Sequence, residues 1–154
     1  MTSRKNKSIV FKSDLCIGCY SCVVSCMDQN DLDVARDNLS WRIVENVSGR
    51  LVGKHPGNVS VSIACMHCED AVCIAACPAG AITRDAATGS VLVDDGLCIG
   101  CHACAMACPF GAPRFGSNGK MQKCDGCAAR VAAGLAPACV RVCPTGALTG
   151  EREE

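Results

Sequence analysis

The chain has 154 residues, sixteen of them cysteine, and a formal net charge of zero. That length suits one compact unit or two small ones, and a balanced charge offers nothing to nucleic acid or to an anionic membrane. With only one Trp, one Tyr and three Phe, aliphatic and aromatic packing alone cannot organise the interior. Bound metal can, because metal-binding free energy is also folding free energy.

Residues 1–7 are polar and basic, and no apolar stretch follows them. No export signal is therefore expected, and the chain reads as cytoplasmic. Thiols stay reduced in that compartment, so arrays of cysteine are metal ligands and a secreted disulfide scaffold is set aside. Residues 7–12 form a short strand that leads into Cys16, Cys19, Cys22 and Cys26, spaced C-x2-C-x2-C-x3-C. Residues 22–29 read as a helix and residues 30–40 as a polar loop. Residues 41–47 and 59–63 alternate as strands, the first closed by a turn at Ser48-Gly49. Trp41 is a packing anchor.

The second group is Cys65, Cys68, Cys73 and Cys77, followed by Pro78. A short apolar stretch at 81–83 comes next, with 91–93 as its partner. The third group, Cys98, Cys101, Cys104 and Cys108, repeats the first spacing and adds Pro109. The fourth, Cys124, Cys127, Cys139 and Cys143, has an eleven-residue gap in its middle and ends in Pro144. Residues 127–133 read as an Ala-rich helix stopped by Gly134 at C′, and 147–149 are again apolar. The longest apolar stretches are far short of a membrane span.

The flanks repeat as well. Leu15-Cys16-Ile17-Gly18-Cys19 matches Leu97-Cys98-Ile99-Gly100-Cys101, and Cys77-Pro78-Ala79-Gly80-Ala81 matches Cys143-Pro144-Thr145-Gly146-Ala147, with a third copy at Cys108-Pro109-Phe110-Gly111-Ala112. Self-similarity of this kind marks one unit used several times. Cysteines three apart in a loop fold around one iron–sulfur cubane, and Gly18, Gly100 and Gly126 let backbone come close or take positive φ. The fourth cysteine sits one helical turn beyond the third, which carries its thiolate toward a second cluster. In the bacterial two-cluster run C-x2-C-x2-C-x3-C-P, the fourth Cys ligates the other cluster in this way. Zinc is the competing metal, but four cysteines within eleven residues crowd a single tetrahedral ion.

With four ordered motifs in place, the chain resembles the four-cluster iron–sulfur subunits of molybdenum and tungsten oxidoreductases, of the dimethyl sulfoxide reductase type, over about residues 11–148. The most specific stretches are Cys65-Met66-His67-Cys68-Glu69-Asp70 and Cys124-Asp125-Gly126-Cys127. The resemblance implies an α+β fold of two bacterial-ferredoxin-like modules with short strands and helices. Residues 1–64 with 121–154 would form one module, from motifs one and four, and residues 65–120 the other, from motifs two and three. It implies four [4Fe–4S] clusters. Cys16, Cys19, Cys22 and Cys143 would hold cluster A, and Cys26, Cys124, Cys127 and Cys139 cluster B. Cys65, Cys68, Cys73 and Cys108 would hold cluster C, and Cys77, Cys98, Cys101 and Cys104 cluster D. Electrons would run A, B, C, D, with the A end facing the catalytic partner.

The implied role is electron transfer without catalysis, since no nucleophile–base set and no phosphate loop is readable. Implied partners are a Mo- or W-cofactor catalytic subunit and a further redox subunit, flavin- or NAD-linked among the options. A short C-terminal stretch after Cys143 favours a tungsten aldehyde oxidoreductase and leaves a cluster end open to self-association end to end. No membrane insertion is expected. The competing readings are a freely diffusing polyferredoxin, the electron-transfer subunit of a hydrogenase or CO dehydrogenase system, and a zinc-stapled interaction module. His67 and His102 read as loop residues. Lys123, Arg130 and Arg141 flank group four, either as solvated charge or as charges that raise a cluster potential.

Overall fold

The computed structural model describes residues 9–33, 35, 40–48 and 58–150. Its elements are short: strands β1 (Ile9–Phe11), β2 (Ile43–Ser48), β3 (Asn58–Ile63), β4 (Ile82–Arg84), β5 (Val91–Val93), β6 (Arg114–Phe115), β7 (Met121–Gln122) and β8 (Leu148–Gly150), and helices α1 (Ser21–Gln29), α2 (Val72–Ala75), α3 (Ala103–Ala107), α4 (Ala128–Ala132) and α5 (Ala138–Arg141). The strands pair as four antiparallel two-stranded ribbons, β1–β8, β2–β3, β4–β5 and β6–β7. This is α+β architecture compatible with a ferredoxin-like fold. Among the described residues no helix is long and apolar enough to cross a membrane.

The Cys-Pro-x-Gly repeat becomes one turn used three times. In each copy the glycine N–H donates to the cysteine carbonyl three residues back: Gly80 to Cys77 at 3.3 Å, and Gly111 to Cys108 and Gly146 to Cys143 at 3.4 Å. Proline pre-sets φ at the second position of such a turn, and the glycines take φ of about 60° to 67°, where a side chain would be strained. Twice the turn delivers an alanine and an aliphatic residue straight into the interior. Ala81 and Ile82 are 0% and 3% exposed, and Ala147 and Leu148 are 2% and 3%. Ile82 opens β4, which pairs with β5 through Ile82↔Val93 and Arg84↔Val91. Leu148 opens β8, which pairs with β1 through Phe11↔Leu148.

Two buried apolar clusters result. Cys22, Val44, Cys139 and Leu148 centre one, and Ile82, Val91, Cys104 and Met121 the other. Cysteine stands in the middle of both, as a composition poor in aromatics requires. Helix α1 packs on α5, and α2 on α3. Each of these four helices carries the third cysteine of a group. The fourth follows four residues on, about 6 Å further along a helical path.

The expected elements sit close to their places. The helix expected at 22–29 starts one residue earlier, at Ser21. The Ala-rich helix ends with Ala133 at the C-cap and Gly134 at φ +75°, the left-handed stop that glycine supplies. Ser48 ends β2 rather than starting a turn, and Gly49 lies outside the described residues, as do residues 7 and 8 of the expected N-terminal strand and residues 34 and 36–39 of the expected polar loop. The β6–β7 hairpin adds a ribbon that the hydrophobic pattern does not announce.

Candidate metal centres

Two cavities are each bordered by four cysteine thiols from two motifs. One is bordered by Cys16, Cys19, Cys22 and Cys143, with Phe11, Val44 and Leu148. The other is bordered by Cys77, Cys98, Cys101 and Cys104, with Ile82, Phe115 and Met121. Both have walls that are almost wholly apolar apart from sulfur. In each, three thiols come from one loop and the fourth from a distant Cys-Pro turn. A wider open cleft, lined by Trp41, Asp94, Gln122 and Lys123 among others, holds no cysteine.

Seven of the remaining eight cysteines show their proximity through their fields. Burial pushes the Cys26 thiol up to about 11, and Cys139 and Cys127 push it the same way. Burial pushes Cys124 up to about 12, with Cys26 and Cys139 adding to it. Burial also raises Cys73, followed by Cys65 and then, past an opposing Lys123, Cys108. Cys22 and Cys26 share one helix and both feel Cys139, while Cys19 acts on Cys22 and Cys127 on Cys26.

Donors point at sulfur. The Met121 amide donates to Cys98 Sγ at 3.4 Å and the Gly126 amide to Cys124 Sγ at 3.4 Å. The Cys19 thiol donates to Ser21 Oγ at 3.4 Å, and Ser62 Oγ lies 3.6 Å from Cys22 Sγ. Hydrogen bonds with Ser21 hold the Cys19 thiol below its ordinary value. For Cys143, burial works upward. Hydrogen bonds with Leu148, with the Thr145 hydroxyl and amide and with Ala147 together outweigh it, so the thiol lies low. Thiolates that accept hydrogen bonds are the form that binds metal.

The glycines of the loops act as the sequence implies. Gly18, Gly100 and Gly126 have φ of +65°, +67° and +73°. A Cβ at Gly100 would stand 2.5 Å from the Gly119 carbonyl oxygen, and one at Gly126 would stand 2.9 Å from Ser90 Oγ.

The histidines are not near-surface bystanders of one kind. His102 takes φ +63° before α3 and stacks on Phe115 with ring centroids 3.7 Å apart. His67, at φ +47°, accepts from the Val91 amide at Nδ1, 3.0 Å. Burial, then the charges of Lys123 and Arg84, lower it to about 4, so it is neutral and its proton is on Nε2. That Nε2 is the buried side-chain polar atom without a partner among the described residues.

Of the three cations flanking group four, Lys123 is 4% exposed, with Nζ donating to the Val91 and Cys124 carbonyls, whereas Arg141 is exposed. Arg130 spans from α4 to Ala136 O at 2.8 Å and Gln29 Oε1 at 3.1 Å. Trp41 is half-buried at the open cleft, and its Nε1 donates to Gln122 Oε1 at 3.2 Å. Arg42, 4% exposed, is the residue that motif reasoning missed.

These residues fit iron–sulfur clusters. The candidate ligands are soft thiols, eight of them bordering apolar cavities, with amides aimed at sulfur, and a buried His67 N–H lacks an acceptor among the described residues. Zinc would need four donors converging at about 2.3 Å. Among the described residues no three His, Cys, Asp or Glu side chains gather as around a single ion. The fold and the thiol sets define an iron–sulfur protein.

Comparison with known proteins agrees. A 4Fe–4S dicluster domain matches residues 59–152 and a 4Fe–4S binding domain matches residues 13–27, which together span all sixteen cysteines. The B subunit of the anaerobic dimethyl sulfoxide reductase of Escherichia coli K12 is 42% identical over 144 residues, 88% of this chain and 68% of that one. The thiosulfate reductase electron transfer subunit of Salmonella typhi is 45% identical over 137 residues, 86% and 69% of the two chains. A hydrogenase-2 operon protein of Escherichia coli O157:H7 is 34% identical over 170 residues, 95% and 52%. This protein belongs to the iron–sulfur electron-transfer subunit family of the molybdenum oxidoreductases, whose members are not catalytic on their own.

Proposed function

We propose that this chain is the wire subunit of a redox complex, carrying four [4Fe–4S] clusters between a Mo- or W-cofactor catalytic subunit and a second redox partner. Cys16, Cys19, Cys22 and Cys143 hold cluster A, and Cys26, Cys124, Cys127 and Cys139 cluster B. Cys65, Cys68, Cys73 and Cys108 hold cluster C, and Cys77, Cys98, Cys101 and Cys104 cluster D. Clusters A and B belong to one ferredoxin-like module, residues 1–64 with 121–154, and C and D to the other, residues 65–120. The observation that carries this reading is the pair of apolar cavities, each bordered by four thiols, three from one motif and one from its partner motif.

Bound clusters supply one-electron chemistry. The chain's own part is to hold them close and dry. Helix α1 holds Cys22 for A and Cys26 for B, and α5, packed on it, holds Cys139 for B with Cys143 for A just past its end, so about one helical turn separates ligands of neighbouring clusters. Helix α2 holds Cys73 for C and α3 holds Cys104 for D, with Cys77 for D and Cys108 for C just past their ends. Amide and hydroxyl donors to sulfur stabilise the thiolate charge and tune the potentials.

The relatives named above support a molybdenum-dependent catalytic partner ahead of a tungsten aldehyde oxidoreductase. The cytoplasm, which keeps sixteen thiols reduced, is the compartment we infer. Anaerobic purification of a tagged copy from its native host tests the assignment. A stoichiometric Mo- or W-containing subunit should come with it. A cluster-loaded protein that comes alone would instead make it a diffusing carrier.

A further inference from the structure

Arg42 lies outside every cysteine motif, just before β2, yet its side chain is buried, at 4% exposure. A buried charge is costly unless paired. Its Nη1 donates to Ser62 Oγ at 3.0 Å, and Ser62 Oγ lies 3.6 Å from Cys22 Sγ. A guanidinium only donates, so the serine oxygen accepts from it and keeps its own hydrogen free. Cys22 as a metal-bound thiolate has no hydrogen, so the hydroxyl must donate to sulfur.

We infer that Arg42 and Ser62 form a charge relay to Cys22 Sγ that holds the potential of cluster A up. Arg42 is a positioning residue that acts through Ser62. The inference rests on the proposed ligand set, in which Cys22 binds cluster A. Burial raises the Cys22 thiol, while the Ser62 bond and the Arg42 charge oppose that rise. Arg42 also opposes the rise of Cys26, by its charge and its backbone amide, and of Cys124 by its charge. The cation therefore stands among thiols of the first and fourth groups, whose thiolates would supply it with counter-charge. The sign follows: a fixed positive charge and a hydrogen bond to sulfur both favour the reduced, more negative cluster, and both raise its potential. Ser62 faces this site because it stands opposite Val44 in the β2–β3 register, on the buried face of the ribbon.

The test is an EPR-monitored redox titration of the full, anaerobically isolated chain. The cluster A signal is identified as the one altered by Cys16→Ser. In Arg42→Gln, the reduced-to-oxidised ratio of cluster A at fixed potential should fall at least tenfold, about 59 mV for one electron. Ser62→Ala should lower cluster A by less and leave clusters C and D unmoved. Arg42→Lys, which keeps the charge, should restore most of the loss. A purely structural role would lower cluster content in Arg42→Gln and Arg42→Lys alike without moving the midpoint of what remains. An unmoved cluster A in Ser62→Ala overturns the relay even where Arg42→Gln fails to load. So does an equal shift of all four clusters. A wild-type protein without iron would sink the ligand set itself, whereas normal iron with unmoved potentials sinks only the relay.

Discussion

Gly80, Gly18 and Gly100 share one backbone conformation, with φ of +60°, +65° and +67°, but not one environment. Replacing each with alanine therefore separates backbone strain from crowding. A methyl at Gly80 meets nothing within 4 Å, so Gly80→Ala bears only the left-handed strain, about 1 kcal/mol. A methyl at Gly18 would stand 2.5 Å from Ser60 Oγ, a side chain that can swing away. Doing so forfeits its 2.7 Å bond to Asn46 Oδ1, which adds about 1 kcal/mol. At Gly100 the obstacle is the Gly119 carbonyl oxygen at 2.5 Å, which is backbone. It belongs to a turn held by Gly116 N–H to Lys120 O at 3.1 Å and Gly119 N–H to Gly116 O at 2.9 Å. Moving that turn costs about 3 kcal/mol at the upper end of overpacking, for a total of about 4 kcal/mol. If the cost falls on the native state alone, each ~1.36 kcal/mol is tenfold in unfolding rate. Loss of visible cluster absorbance after an anaerobic jump into guanidinium should then quicken about fivefold for Gly80→Ala, roughly thirtyfold for Gly18→Ala and several hundredfold for Gly100→Ala. Gly100→Ala bleaching no faster than Gly80→Ala would refute the packing argument for the third loop.

Three further outcomes are expected. Cys26→Ser should alter the EPR signal of cluster B and leave that of cluster A native, even though Cys26 sits in the first motif; loss of the cluster A signal alone contradicts the shared-ligand scheme. Lys120 Nζ donates to the Asp95 carbonyl at 2.9 Å and the Cys98 carbonyl at 2.7 Å, so Lys120→Met should weaken the third loop by about 1–2 kcal/mol, read as earlier loss of the cluster D signal in a denaturant series. Because burial pushes Cys26 up to about 11 and Cys124 up to about 12, iron loading must displace their protons. The thiolate fraction rises about tenfold per pH unit below the thiol pKa, so reconstitution of the iron-stripped protein should still quicken beyond about pH 10, and a plateau at about pH 9 would mean the thiols ionise normally.

Local features were legible and distant ones were not, for physical reasons. The Ala-rich helix stopped by Gly134 and the strands at 59–63 and 91–93 follow from residue type and spacing, which act within a few residues. The pairing of β1 with β8 joins segments almost the whole chain apart, and no short-range pattern encodes that. The β6–β7 hairpin has two-residue strands, too short for alternation to register, although Asn118-Gly119 between them is a turn signal that marks a hairpin. The cysteine motifs announced their chemistry because ligand spacing is itself the signal. Arg42 and Ser62 carry no such mark, since their burial against Cys22 is decided by how β2 and β3 fold over the first loop. Lys123 has the sequence context of solvated charge and is 4% exposed, because its neighbours Met121 and Cys124 draw the segment into the interior.

The metal content of the purified protein tests the four-cluster reading most directly. Anaerobic purification followed by iron, zinc and acid-labile sulfide analysis should find about sixteen irons and about sixteen sulfides per polypeptide, as four complete cysteine sets require. Zinc in place of iron, or about half that iron, would contradict it.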